Sequence, residues 1–134
     1  MNVLLIVAGC LGILAGAIHG GAGEVLVVRR LSPGGLASSP FGGPVMTKTM
    51  IQVSWHITTI AFFTLGSALL VSGAVLHGDT ARGIGLVAAA GFTGFAAVAV
   101  GFGAAQTRSL RPFIRHPGPA VLALTGALAW AGAL

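Results

Sequence analysis

Six residues of this chain have side chains and spacing suited to chemistry: His19, Glu24, Gln52, Trp55, His56 and His116. Imidazole nitrogen binds zinc, copper and iron, and a carboxylate can complete the shell. Two histidines on different helices at similar depth are what a bis-imidazole haem or a transition-metal centre requires. His19, His56 and Glu24 are therefore the candidate metal ligands. Trp55, Gln52 and His116 complete the candidate cofactor-binding set. Met46 and Met50 stand close enough to His56 in sequence to act as soft ligands for copper. No HxxxH, CxxC or HExxH spacing occurs, so no single metal is selected.

The same residues admit two other readings. His19 and His56 can hydrogen-bond across helices to each other, to Glu24 or to backbone carbonyls. Glu24 can pair with Arg29 or Arg30 near the headgroups, or it can form a proton relay with a buried His19.

The elements that position these residues are membrane helices. The chain has 134 residues, 55% hydrophobic and 7% charged, against roughly 25% charged in an average soluble domain. Seven Lys and Arg against two acids give a net charge of +5. These bases sit in the gaps between apolar runs, so they read as topology signals, and no nucleic-acid motif accompanies them. The lone cysteine, Cys10, rules out an intrachain disulfide and reads as a small packing residue.

Four apolar runs follow one another, at about residues 3–28, 50–76, 84–105 and 117–134. In the first, Gly12, Gly16, Gly20 and Gly23 recur at three- and four-residue steps, the small-residue pattern of closely packed membrane helices. His19 shares that side and is expected to point into the protein. Leu31 to Pro44, with three prolines and four glycines, reads as a flexible connection. In the second run, Thr49, Gln52, His56, Thr59 and Phe63 fall on one helical face. Trp55 reads as an interfacial anchor or as a stacking surface beside His56. Thr58, Thr59 and Thr64 are expected to bond back to their own helix. In the third run Phe92, Phe95 and Phe102 share a face, either a core seam or a lipid face. Arg108, Arg111 and Arg115 form a basic connection that Pro112 breaks. The fourth run is short, and Trp130 near its end suits an interface.

The expected fold is thus an all-α membrane protein, a single antiparallel bundle of four transmembrane helices. Connections one and three carry Arg29, Arg30, Lys48, Arg108, Arg111 and Arg115, whereas connection two carries Arg82 offset by Asp79. The positive-inside rule places the first and third connections in the cytoplasm and both termini outside. His19, Glu24, His56 and His116 then fall in the cytoplasmic half, and His77 at the opposite face.

The layout resembles a group of small bacterial four-span integral membrane proteins of unknown function. The resemblance rests on His19 with Gly23-Glu24, on Trp55-His56 opening the second span, and on Arg115-His116 before the last. It implies a shared polar site and a multi-pass place in the bacterial cytoplasmic (inner) membrane; it implies no activity.

Three functions remain open at this level. The first is a cofactor protein holding a transition metal or haem. The second is a non-catalytic accessory subunit, working as a homo-oligomer or with a partner membrane subunit within the lipid bilayer. The third is a proton-linked intramembrane enzyme or transporter. The topology is directly testable: alkaline phosphatase fused after Thr80 or Leu134 should be active, and the same enzyme fused after Gly35 should be inactive. The reverse pattern would invert the assignment.

Overall fold

A peptide in hydrocarbon must satisfy its own N–H and C=O groups, which a helix does within one segment. The apolar runs fold accordingly. The computed structural model describes residues 1–109 and 116–134. Among these the chain is all-helical, without strands; Ser39 and Gly42 form an isolated bridge. Helix α1 spans Val3–Ala17 and widens into a π-helical turn, Ile18–Gly23. A short α2, Glu24–Leu26, and a 3-10 turn, Val28–Arg30, complete this first stretch. Helix α3 is Pro44–Ala74, α4 is Gly78–Thr107 and α5 is Gly118–Ala133.

Three stretches are long and apolar enough to cross a membrane: Val3–Arg30, Pro44–Ala74 and Gly78–Thr107, with 28, 31 and 30 residues. At 1.5 Å per residue each reaches ~42 Å or more if regular, beyond the ~30 Å hydrocarbon core. Helix α5 has 16 residues and reaches about 24 Å, short of that core. The second stretch begins six residues earlier than expected, because Pro44, with its fixed φ and missing N–H, suits a first helical turn. The third begins at Gly78, whose φ of +61° turns the chain out of α3. Arg111, Pro112 and Arg115 of the expected third connection lie outside the described residues.

The chain divides into two units, Met1–Ala15 with Phe62–Leu134, and Gly16–Ala61. In the first, glycines set the helix spacing. A Cβ on Gly66 would lie 2.7 Å from the Ile13 nitrogen, and one on Gly9 would lie 2.5 Å from the Leu70 nitrogen. Backbone therefore packs on backbone, as the small-residue pattern of the first run requires. Above these contacts Leu5, Ala8, Leu69, Ala89 and Phe92 form a core with Phe62. Phe62 meets Phe95 edge-to-face at 5.1 Å between ring centroids. Phe92 and Phe95 thus form a core seam with Phe62, while Phe102, expected on the same face, is 70% exposed. Helices α4 and α5 pack along each other, with Gly126 against Thr93. Trp130 donates its indole hydrogen to Thr93 Oγ1 at 3.1 Å. Cys10 is exposed on α1 and is not a packing residue.

Asn2 ties three segments of this unit together. Its backbone N–H donates to Gly73 O at 2.7 Å, and its Nδ2 to Gly132 O at 2.7 Å. Its Oδ1 accepts from Leu5 N–H at 3.2 Å and caps α1.

In the second unit the connection before α3 is built from local turns. A 3-10 turn occupies Pro33–Gly35, and Gly42, at φ +152°, sits against Met46. Thr47 Oγ1 donates to Ala37 O at 2.8 Å, which fastens the connection to the first turn of α3.

The glycine contacts make a sharp prediction. Gly66→Ala puts a methyl group against the α1 backbone and should cost about 1–3 kcal/mol of stability. Unfolding in mixed detergent micelles measures this, with Gly94→Ala, where a Cβ meets nothing within 4 Å, as the neutral control.

Candidate functional site

The site residues on the first stretch are placed by the π turn. Gly16, Glu24 and Val28 are buried and Gly20 is half-buried, a run of three four-residue steps. In a regular α-helix each such step drifts by about 40° around the axis. The wider π turn absorbs much of that drift and keeps Glu24 facing inward. Its glycines also admit neighbours: a Cβ on Gly20 would lie 2.5 Å from Thr59 Cγ2, and one on Gly23 would lie 2.5 Å from Trp55 Cζ2.

Trp55 and Thr59 of α3, four residues apart and so on one face, receive His19. The imidazole stacks on the indole with centroids 4.1 Å apart and planes 13° from parallel. Trp55 Nε1 donates to the His19 carbonyl at 3.0 Å. His19 Nδ1 lies 3.0 Å from Thr59 Oγ1. Thr59 gives its one hydroxyl hydrogen to the Trp55 carbonyl at 3.1 Å. The contact with His19 must then use the hydroxyl lone pair, so Nδ1 carries the proton. With Thr59 as the acceptor, the contact is that of an Nδ1–H tautomer.

Glu24 has a different partner set. It is 9% exposed. Arg29 Nε lies 3.4 Å from Oε1, and the Arg29 side chain is 69% exposed. His56 Nε2 lies 3.6 Å from Oε2. That distance is an ion-pair contact and too long for a hydrogen bond, so Oε2 is buried without one. The His56 side chain is 50% exposed on its other side.

The six residues singled out from sequence therefore separate. His19 and Trp55 form one assembly, and Glu24 and His56 form another. Of the pairings the sequence left open to Glu24, those with Arg29 and with His56 are formed. Among the described residues no group of three His, Cys, Asp or Glu side chains is placed to hold a metal ion. His19, His56 and Glu24 do not form such a group among the described residues. Gln52 lines a recess with His56, Thr49, Val53, Ile57 and Ile60, about 470 Å³ in volume. His116 is exposed and accepts the Gly118 N–H at 3.1 Å, a local bond at the start of α5. Trp55 stacks on the His19 ring.

Of the polar stripe expected on α3, Thr59 is buried and Gln52 half-buried, while Thr49, His56 and Phe63 are exposed; Trp55 and Phe62, each one residue earlier than His56 and Phe63, take the inward places. The sequence reasoning missed Thr59 as the His19 partner. Its position four residues after Trp55 was the available signal. Comparison with models of protein families, with curated proteins and with solved structures finds no match.

Thr59→Val keeps the shape and removes the acceptor for the His19 Nδ1–H. It should cost about 1–3 kcal/mol for the half-buried donor left unpaired. Nitrogen-edited NMR of the histidine rings checks the cause: wild type should show His19 as the Nδ1–H tautomer, and the variant should lose that preference.

Proposed function

We propose that this chain is a proton-linked protein of the bacterial inner membrane, an antiparallel four-helix bundle with both termini outside. Glu24 and His56 are its proton-exchanging pair, in the cytoplasmic half. One observation carries the reading: among the described residues the buried Glu24 Oε2 has no hydrogen-bond partner, and it lies 3.6 Å from His56 Nε2. An ionised carboxylate oxygen without a donor is costly when buried. Two events relieve it. The carboxylate can take a proton, or His56 can take one and close to a charge-assisted hydrogen bond. His56 is half-exposed, so it can collect a proton from outside the site and pass it to Glu24, returning to the neutral ring. The buried carboxyl then holds the proton, and the reverse transfer releases it. Ionisable groups placed in this way within membrane segments mark proton relays. Arg29 on Oε1 keeps the carboxylate oriented through the cycle.

Proton exchange is favoured over a shared metal because a three-ligand centre would need His19, His56 and Glu24 together, and among the described residues no such group is placed to hold a metal ion.

The test is proton exchange by the purified protein in phospholipid vesicles loaded with a pH-sensitive dye. Glu24→Gln should lower the rate roughly 100-fold, within the range for loss of one acid–base group, with His56→Gln slower than wild type as well. In infrared difference spectra across a pH titration, the C=O stretch of a protonated buried carboxyl should appear and should be missing in Glu24→Gln. Wild-type rates in Glu24→Gln would overturn the proposal.

A further inference from the structure

A second recess lies within residues 16–61 and uses none of the Glu24–His56 pair. It is an open groove with a volume of about 500 Å³. Its walls are of two kinds. His19 and Trp55 present aromatic surface, with Met50 and Ile51 beside them. Ser39, Thr47, Ser54 and Thr58 bring four hydroxyl groups to the same space.

The hydrogens of three of those hydroxyls are already committed. Thr47 Oγ1 donates to Ala37 O at 2.8 Å. Thr58 Oγ1 donates to Ser54 O at 3.0 Å. Ser39 Oγ donates to Gly42 O at 3.4 Å. A hydroxyl whose hydrogen is bound to a backbone carbonyl still has lone pairs to offer. The recess is therefore rich in acceptors, and only Ser54 keeps its hydrogen for a ligand among the described residues. Such a wall favours a molecule that brings hydrogens to it. Aromatic surface with a thioether beside it favours a flat ring, through stacking and sulfur–aromatic contact.

The geometry points to a binding site for a lipid-soluble phenol or quinol, held by its ring against His19, Trp55 and Met50 and by its hydroxyl hydrogens on Thr47 and Thr58. The oxidised quinone has carbonyls where the quinol has hydroxyls. Carbonyls facing the lone pairs of Thr47 and Thr58 gain no hydrogen bond there, and Ser54 alone can donate to them, so the site favours the reduced form. The connection through Ser39, fastened by Thr47, closes one side, so the ligand is admitted from the lipid-soluble pool along the apolar side of Met50 and Ile51.

Titration calorimetry in detergent micelles, with protein-free micelles subtracted, tests this with a short-chain benzoquinol and its quinone. The quinol should bind about tenfold more tightly than the quinone, the worth of one or two net hydrogen bonds. Thr58→Val removes an acceptor at a half-buried position outside the His19–Thr59 network. It should reduce quinol affinity about three- to tenfold, leave quinone affinity unchanged and leave the helical circular dichroism intact. Thr47→Val is the independent second variant, with the same direction expected. Glu24→Gln should leave quinol binding as in wild type, so this site and the proton pair can fail separately. Equal binding of quinol and quinone would overturn the inference. So would unchanged quinol affinity in both threonine variants, or dodecanol binding as tightly as the quinol, which would show selection of a hydroxyl without a ring.

Discussion

The widened turn from Ile18 to Gly23 is the constraint on which the polar site depends. A π turn spends extra residues per turn and leaves the helical hydrogen-bond ladder less regular. Here it does two things at once. It brings Glu24 and Val28 back to the buried side after Gly16 and Gly20, and it offers the His19 carbonyl to the Trp55 indole at 3.0 Å. Without water in the surrounding hydrocarbon, a loosened carbonyl needs a protein donor. The indole supplies it, and the stacked rings follow from that bond. Gly20 and Gly23 are required because Thr59 and Trp55 occupy the space a Cβ would take.

The electrostatics of Glu24 follow from unequal partners. Arg29 is largely exposed, so its attraction is screened and contributes modestly. Burial of a carboxylate costs several kcal/mol unless its oxygens are engaged. Arg29 reaches Oε1 only, through Nε and at 3.4 Å, which leaves Oε2 dependent on His56. A stronger, bidentate arginine pair would have locked the carboxylate in its charged form. The geometry here is the weaker one, a single Nε contact at 3.4 Å.

Much of the architecture was legible from composition and apolar runs, because length and hydropathy are what membrane crossing demands. The long apolar helices were visible for that reason. The π turn was not, since its sign is only a run of four-residue steps among glycines. Part of the α3 stripe was misread by one residue for a related reason. Trp55 and His56 are neighbours in sequence but lie ~100° apart on a helix. Either could have faced the first stretch, and periodicity alone did not decide. Packing did: the flat indole fits against Gly23 and under the His19 ring, while the His56 ring turns to the carboxylate. The choice of partner for Glu24 therefore rested on tertiary contacts that spacing does not encode.

That one-residue offset also divides α3 into two working faces. Met50, Ile51, Ser54, Trp55 and Thr58 line one recess; Thr49, Gln52, Val53, His56 and Ile57 line the other, and no residue is shared. His19 stands on the first face and Glu24 partners the second, five residues later on the same short stretch of chain. The covalent path between them is the π turn itself, whose wider ladder is easier to deform than a regular helix. His19 lies within that turn, and Glu24 begins the element that follows it. Turning the chain there is what lets two side chains five residues apart serve two faces of one partner helix, which a single stripe at regular helical spacing does not do.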